Sequence, residues 1–237
     1  MPGAAIGGLS GGLQRAAQVS AGVEADLPLD ITASATFFHD AFFAISDPLG
    51  LYGTTPSTVA SGPSGGRSLD WINARADGSS TGLEIYVRRK LTEKLGGFVA
   101  YTLSRSTRHL GDRTFAPQFD RTHVLQSALS WDIGRGFRAG ARVAVYSGLP
   151  FPPFVPQEDI AAAGRDRLPP FFRLDARAEK RWTLGRRGWI AVVLEMANVT
   201  LSKEPDGLVC DQGSPRRCEV HQLGPIALPS LGVEGGV

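Results

Sequence analysis

Residues 172–182, with the sequence FRLDARAEKRW, decide the fold class of this chain. Apolar or small side chains occupy the even positions from Phe172 to Ala178, and all odd positions from Arg173 to Arg181 carry a charge. A period of two residues is typical of a β-strand, because successive side chains point to opposite faces of the sheet. We therefore predict a strand here that separates an apolar environment from a charged one.

The same alternation recurs along the chain and predicts an all-β protein. It is least regular in residues 189–200, where both sets of alternate positions are mostly apolar. No stretch shows the 3.6-residue period of an amphipathic helix. The nine predicted strands are residues 13–27, 29–43, 81–89, 97–107, 121–133, 137–147, 172–182, 189–200 and 226–235.

The connections between these strands alternate strictly between short and long. The short ones carry the turn-forming residues Pro28, Gly96, Gly134, Gly136, Gly185 and Gly188. The long ones are residues 44–80, 108–120, 148–170 and 201–225. Antiparallel strands would place all short turns at one end of the sheet and all long connections at the other. Transmembrane β-barrels have this arrangement, with tight periplasmic turns and long extracellular loops.

We accordingly predict antiparallel transmembrane β-barrel strands, about nine in number, with short periplasmic turns and long extracellular loops. The predicted strands are long enough to cross a bilayer, which takes about 9–11 tilted residues. Aromatic residues near the strand ends are typical of the girdles at the two membrane interfaces. They are Trp71, Tyr101, Trp131, Phe137, Tyr146, Phe172, Trp182 and Trp189.

Two other architectures agree with the same alternation. One is an autonomous outer-membrane barrel of about 8–10 strands with a structural role. The other is a soluble β-sandwich that acts as a binding module, in which the apolar face would form the core and the charged face would meet solvent. The strict alternation of short and long connections favours the membrane barrel over the sandwich.

Composition and charge exclude several function classes. Hydrophobic residues make up 42% of the chain, which is too high for a disordered tail. The net charge is +2, and the basic residues are scattered rather than gathered in one tract, which argues against nucleic-acid binding. No stretch approaches the roughly 18 consecutive apolar residues of a membrane-spanning helix. Residues 1–26 also lack the features of a secretory signal peptide.

The two cysteines of the chain, Cys210 and Cys218, lie eight residues apart. No further His or Cys stands beside them at a spacing typical of zinc ligands, so a zinc site is not predicted. A disulfide is favoured over two free thiols, and it would require an oxidising compartment. This compartment conflicts with the lack of signal-peptide features in residues 1–26. The chain is therefore expected to be either a piece of a longer exported protein or a cytosolic protein with an incidental cysteine pair. In a barrel, the disulfide would pin the last extracellular loop.

A hydrolase is the rival hypothesis for function. Asp120, His123 and Asp175 could form an acid–base system, with Ser104 or Ser147 as the nucleophile. No Gly-x-Ser-x-Gly segment occurs, however, so no enzyme and no catalytic residue are predicted. The four histidines are too far apart in sequence to suggest a metal site, and no cofactor is predicted. These histidines are His39, His109, His123 and His221.

Several short motifs in the chain resemble those of TonB-dependent outer-membrane receptors. Taken in order, they cover nearly all of residues 13–237. They are a hairpin formed by TGLE at 81–84 and AYTLSRS at 100–106, a strand entry FDRTHVL at 119–125, a strand exit YSGLP at 146–150, a strand FRLDAR at 172–177, a strand end ANVT at 197–200, and a closing strand LPSLGV at 228–233.

The resemblance implies a location and a function. In that family a large barrel encloses an N-terminal plug domain, and contact with TonB drives the uptake of scarce nutrients such as ferric siderophores, cobalamin or glycans. Residues 13–237 would be the C-terminal part of such a barrel in the bacterial outer membrane, after a loop remnant at residues 1–12. The plug domain, the TonB box and the signal peptide are expected to be absent, and the terminal Val237 replaces the usual aromatic residue.

The partners implied by the resemblance are of three kinds. Outer-membrane lipid would contact the apolar face of the strands. A small-molecule ligand such as a metal chelate would bind through the full-length receptor, and TonB would act only where the missing N-terminal region is present. We expect that this segment alone does not transport, because an open sheet would leave two unpaired edges in the hydrocarbon.

Charged residues on the polar face of the predicted strands would line the barrel lumen. They could guide an anionic ligand or hold the plug through breakable ion pairs, since opposite charges on neighbouring strands attract each other. Alternatively, they only form a solvated wall. The candidate residues are Glu84, Arg88, Arg138, Arg142, Arg173, Asp175, Arg177, Glu179 and Arg181.

Overall fold

A computed structural model describes residues 13–45, 75–91, 94–111, 113–151, 166–185, 188–211 and 217–236. These residues form strands and turns without any helix, so none of them belongs to a helix that could cross a membrane. The predicted loop remnant at residues 1–12, the girdle residue Trp71 and the terminal Val237 lie outside this part of the chain. The strands are β1 (Arg15–Leu27), β2 (Ile31–Ile45), β3 (Ala76–Arg89), β4 (Leu95–Leu110), β5 (Arg113–Phe115), β6 (His123–Gly134), β7 (Phe137–Tyr146), β8 (Phe171–Leu184), β9 (Gly188–Ala197), β10 (Glu204–Cys210), β11 (Cys218–Leu223) and β12 (Leu228–Gly236).

Most of these strands follow one another in a single antiparallel sheet. Their hydrogen-bonded order is β1-β2-β3-β4-β6-β7-β8-β9-β12, and the short β5 adds to β4 at one end. Strands β10 and β11 form a separate antiparallel hairpin. The prediction of an all-β, antiparallel fold is confirmed, and each of the predicted strands coincides with one strand of the main order.

Several details of the prediction are wrong, among them the following. The first turn spans residues 28–30, and β2 begins at Ile31 instead of Leu29. Leu29 and Asp30 have φ angles of 68° and 57°, a left-handed conformation that cannot continue a strand. Strand β3 begins five residues earlier than predicted, at Ala76. The long connections at 108–120 and 201–225 also contain β5 and the β10–β11 hairpin.

The short and long connections lie at opposite ends of the sheet, as antiparallel order requires. The turn between β6 and β7 illustrates the short class, with φ angles of 92° at Gly134, 55° at Arg135 and 78° at Gly136. Glycine adopts such left-handed angles without the steric penalty that a side chain imposes. Tight turns at this end leave the opposite end to the long connections and to the β10–β11 hairpin.

The cross-strand register defines two faces. Residues that pair across a ladder share a face, so Leu83, Leu129 and Leu194 belong to one face and Glu84, Arg142 and Glu179 to the other. We call these the apolar face and the polar face. Every strand of the main order exposes a large side chain on the apolar face, namely Val19, Phe37, Leu83, Val99, Leu129, Phe137, Phe172, Leu194 and Leu231.

Burial is concentrated on the polar face and at the end with the long connections. Among the described residues, the buried apolar side chains are few, and two of them, Ala191 and Val193, lie on the polar face of β9. The buried polar residues are Arg108, Asp120, Glu179 and Asn198. This distribution is the reverse of a water-soluble sheet, in which the apolar face is covered and the charged face is solvated.

The two outermost strands each have a single neighbour. Strand β1 pairs with β2 alone, and β12 pairs with β9 alone, so the described residues form an open sheet. Because every neighbouring pair in the main order is antiparallel, an odd number of strands leaves β1 and β12 running in the same direction. Both strands are exposed along nearly their whole length.

Candidate functional site

The polar face of the sheet holds all the charged residues that the sequence places in a lumen. Glu84 and Arg88 lie on β3, opposite Thr102 and Phe98 of β4. Strands β4 and β6 separate them from the rest. The remaining candidates lie side by side on β7 and β8, and they form an ion-pair network of three separate groups, around Asp132, Asp175 and Glu179, with residues of β6, β9 and β12. The candidates on β7 and β8 are Arg138, Arg142, Arg173, Asp175, Arg177, Glu179 and Arg181.

Glu179 is the buried centre of this network, with 5% of its surface exposed. Its carboxylate accepts hydrogen bonds from Arg181 Nη2 at 3.0 Å and from Arg177 Nη2 at 3.2 Å. Arg138 stands directly opposite Glu179 on β7 and also reaches Asp132 of β6 at 3.7 Å. A carboxylate that is removed from water needs such partners, because an unpaired buried charge is strongly unfavourable.

Arg177 links three strands of the polar face. Besides its bond to Glu179, its guanidinium donates to the carboxylate of Glu195 on β9. It also donates to Glu234 on β12, with an Nη2–Oε1 distance of 3.1 Å. The planar guanidinium presents several donors at fixed angles, which suits it to bridge carboxylates on adjacent strands. Arg177 therefore fastens the last three strands of the main sheet together.

Asp175 forms a second centre nearer to the long connections. Its carboxylate accepts hydrogen bonds from Arg173 Nη2 at 3.0 Å and from Arg142 Nε at 3.1 Å. It also accepts a bond of 2.8 Å from the backbone N–H of Asn198, which follows the end of β9. One carboxylate therefore serves two guanidinium groups, and the surroundings of Asp175 keep an excess positive charge.

Asn198 fixes the chain where it leaves β9. It adopts a φ angle of 57°, a left-handed conformation that asparagine tolerates better than most residues. Its amide Nδ2 donates to the carbonyl oxygens of Ser202 at 2.9 Å and of Ile226 at 3.1 Å, and its Oδ1 accepts from the Ser202 N–H at 2.9 Å. The side chain thus joins the end of β9 to the approach to β12.

Three carboxylates of the network are absent from the candidates derived from sequence. Each of them pairs with an arginine of another strand. Asp132 and Glu195 lie on a strand next to their arginine partner, and Glu234 lies two strands away from Arg177. Alternation alone gives the face of a residue but not its register against the neighbouring strand. The sequence does indicate the face of these carboxylates, since each occupies one of the alternate polar positions of its own predicted strand.

The residues of the hydrolase hypothesis have separate partners in the structure. Asp120 is 2% exposed, and it accepts bonds of 2.7 Å from Arg167 Nη2 and from the Ser106 N–H. His123 lies on the apolar face, where its Nδ1 is 2.8 Å from Tyr101 Oη. Asp175 belongs to the arginine network described above. Among the described residues, no chain of side-chain hydrogen bonds joins one of these acids, His123 and one of these serines into a relay.

Ser104 and Ser147, the nucleophiles of that hypothesis, bond to the backbone. Ser104 Oγ lies 3.4 Å from the Arg121 carbonyl oxygen, and Ser147 Oγ accepts from the His123 N–H at 3.0 Å. Each serine therefore supports the local chain path at the end with the long connections. Neither hydroxyl is bonded to a general base in the described part of the chain.

The histidines also lie apart from one another. Nδ1 of His39 is 2.7 Å from Thr81 Oγ1, Nδ1 of His109 is 2.9 Å from Thr114 Oγ1, and Nδ1 of His221 is 2.5 Å from Asp206 Oδ1. Within the described ranges, no group of three or more His, Cys, Asp or Glu side chains is arranged to hold a metal ion.

Cys210 and Cys218 are joined by a disulfide. They face each other at the end of the β10–β11 hairpin, with their Cα atoms 4.0 Å apart. Asp211 and Arg217 continue the pairing beyond the cysteines, since the Asp211 N–H donates to the Arg217 carbonyl oxygen at 2.9 Å. The hairpin is thus closed at its tip by a covalent bond and lies at the end with the long connections.

Comparison of the chain with models of protein families, with curated proteins and with solved structures finds no match. The geometry of the polar face is therefore the basis for a functional assignment. Its alternating guanidinium and carboxylate groups can bind a charged ligand or a complementary protein surface by exchanging ion pairs. The described residues combine this charged face with an exposed apolar face on the other side of the same sheet.

Proposed function

We propose that this chain is a wall segment of an outer-membrane β-barrel, with the apolar face toward lipid and the polar face toward the lumen. The observation that carries this proposal is the inverted burial. Large apolar side chains are exposed on every strand of the main sheet, while Glu179, Ala191 and Val193 are buried on the polar face. Continuous apolar surface of this extent is rare in soluble monomers and typical of a barrel in lipid.

Strand length and aromatic placement support the same proposal. The strands of the main order are 9 to 16 residues long, which matches or exceeds the approximately 9–11 residues that cross a bilayer. Trp131, Phe137 and Trp182 are exposed on the apolar face near the short turns. Aromatic residues at this level are typical of an interface girdle.

The direction of the outermost strands favours a part of a larger barrel over an autonomous small one. Strands β1 and β12 run in the same direction, so they can meet directly only as a parallel pair. Antiparallel closure requires an odd number of additional strands between them. Unpaired backbone at either edge would be costly in hydrocarbon, where no water satisfies it. In this proposal, further strands of the barrel join at these two edges.

We further propose that the larger protein is a TonB-dependent receptor for active uptake of a scarce nutrient of the ferric siderophore, cobalamin or glycan class. Support comes from the motifs that resemble this family, because their polar residues occupy structurally important positions. Asp120 of FDRTHVL, Asp175 of FRLDAR and Asn198 of ANVT each join strands or connections through hydrogen bonds. In this proposal TonB acts through the region that carries the plug.

Fractionation of cells that carry the gene tests this function. An antibody against the chain is expected to detect a protein in the outer-membrane fraction with a mass well above 25.2 kDa. Disruption of the gene is expected to abolish TonB-dependent growth on one limiting nutrient of the three classes. A band of 25.2 kDa in the outer membrane would support the autonomous small barrel instead. A soluble band of that mass would contradict both membrane assignments.

A further inference from the structure

A cavity of about 300 Å³ opens on the polar face, close to the end with the long connections. Its volume lies at the lower end of the approximately 300–1,000 Å³ that is typical of small-molecule sites. Strands β4, β6, β7 and β8 contribute its walls, and Glu204 at the start of β10 also lines it. The side chains that line it and that bear on its chemistry are Phe98, Gln126, Arg142, Tyr146, Phe171 and Arg173.

Aromatic rings form one side of the cavity. The rings of Tyr146 and Phe171 are nearly parallel and stacked, with centroids 6.0 Å apart and an angle of 18° between their planes. Arg121 covers the Tyr146 ring at 4.9 Å from its centroid, and Gln126 Nε2 donates to the Tyr146 hydroxyl at 3.3 Å. These contacts fix the position of the ring, so the apolar side of the cavity is formed before any ligand arrives.

Guanidinium groups form the other side. The side chain of Arg142 is 60% exposed, and it uses only its Nε to bind Asp175. Within the described residues, its two Nη groups have no hydrogen-bond partner. Arg173 binds the same carboxylate of Asp175, whereas Arg121 is balanced by Glu204 at 3.2 Å. The cavity therefore has a net positive charge and a pair of parallel donors that are open to a ligand.

We propose that this cavity binds an aromatic carboxylate, with its ring against Tyr146 and Phe171 and its carboxylate on the Nη groups of Arg142. A guanidinium binds a planar carboxylate through two parallel hydrogen bonds, and a flat ring removes apolar surface from water by stacking. The inference goes beyond the proposed function and does not depend on it, because residues of this chain alone form the cavity. An aliphatic anion lacks the stacking contact, and a neutral aromatic amide lacks the charge.

Fluorine NMR of the wild-type protein, purified at its native length from cells that carry the gene, tests this assignment with three probes: 4-fluorobenzoate, 4-fluorobenzamide and trifluoroacetate. Titrations are made in non-ionic micelles, with protein-free micelles as the blank. The expected result is saturable line broadening for 4-fluorobenzoate, with at least five-fold weaker binding of the other two. Equal binding of the benzoate and the benzamide, or no saturable binding of the benzoate, would overturn the proposal. If the chain is monodisperse without detergent, the membrane assignment fails and the same titration is made in buffer.

A matched pair of variants locates the bound probe. Arg142→Gln is expected to weaken 4-fluorobenzoate binding at least five-fold, and Arg142→Lys to weaken it less, because lysine keeps the charge but not the paired donors. The control Arg105→Gln changes an exposed arginine of β4 that does not line the cavity, and it is expected to change binding less than two-fold. Equal effects of Arg142→Gln and Arg105→Gln would place the probe elsewhere and contradict the proposal. The wild-type comparison of the three probes decides the question even if a variant does not fold.

Discussion

The polar face is filled in two different ways at the two ends of the strand order. In the first region, β1–β4, small residues, hydroxyl groups and rings fill it: Ser106 Oγ donates to Ser80 Oγ at 3.1 Å, and the ring of Phe38 packs over Gly82. In the second region, β7–β9 with β12, ion pairs around Asp175 and Glu179 fill it. The same alternating sequence pattern thus gives two kinds of contact. A charged residue of the polar face stabilises the sheet only where the register places an oppositely charged partner beside it.

The largest expected loss of stability from a single substitution is at Glu179, the buried centre of the second region. Glu179→Gln removes the carboxylate that Arg177 and Arg181 share, so Arg181 loses its carboxylate partner and Arg177 keeps only Glu195 and Glu234. Loss of one member of a buried ion pair costs about 3 kcal/mol. We expect a decrease of this size in the free energy of unfolding, measured by urea titration in detergent micelles.

Glu84→Gln is the matched control in the first region. Glu84 shares the polar face but stands opposite Thr36 and Thr102 instead of arginine residues. A substitution away from a buried network changes stability by roughly 0.5 kcal/mol or less. Equal losses for the two variants would contradict the distinction between the two regions.

The second largest loss of stability is expected at Asn198, where the chain leaves β9 at the border of the second region. Asn198→Ala removes the hydrogen bonds that join the end of β9 to Ser202 and Ile226, and it places alanine at a positive φ angle. We expect a loss of about 2 kcal/mol in the free energy of unfolding. Asn198→Gly separates the two causes, because glycine accepts the backbone angle but makes none of the side-chain bonds. An intermediate loss for glycine is expected, and no loss for either variant would be inconsistent with a fixing role of this side chain.

The sequence predicts the strands and their two faces, but it does not predict which side chains meet across neighbouring strands. The period of two residues gives the strands and their faces because it is local, and it places Glu84 and Arg177 on the same face. It does not give their surroundings, since register depends on pairing between distant segments. Glu195 is the clearest case: it lies in the least regular predicted strand, yet it becomes a partner of Arg177 once β8 and β9 align.

Two further features of the structure cannot be predicted from the local alternation of side chains. Ala191 and Val193 blur the alternation of β9 because they are apolar residues on the polar face, where they are buried beside the charged network. The β10–β11 hairpin lies in a connection whose polar, glycine- and proline-containing sequence is typical of a loop. Its strands pair only with each other, so no long apolar face marks them.

The smallest expected effect compares two glycines of the polar face. A Cβ atom on Gly82 would lie 2.5 Å from the Phe38 ring and 2.7 Å from the Leu103 carbonyl oxygen, whereas one on Gly140 would meet its nearest atoms at 3.5 Å. We expect Gly82→Ala to cost about 1.5 kcal/mol through overpacking and Gly140→Ala to change stability by less than about 0.5 kcal/mol. Urea titration of both variants measures the difference, and a larger loss for Gly140→Ala would contradict the ring-filled packing of the first region.

We propose that lipid covers the apolar face and not the polar face, and two tryptophans test this proposal most directly. Trp131 is exposed on the apolar face, while Trp189 lies on the polar face with the Arg181 guanidinium 3.9 Å from its ring centroid. Both residues lie near the short turns, so they differ in face and not in depth.

The measurement uses two variants of the protein at its native length, each with one of these tryptophans retained and the other tryptophans replaced by phenylalanine, reconstituted into vesicles with and without brominated phosphatidylcholine. Bromine quenches indole fluorescence only at short range. We predict strong quenching of Trp131 and several-fold weaker quenching of Trp189. Equal quenching of the two tryptophans, or a folded chain in which neither is quenched, would contradict the account.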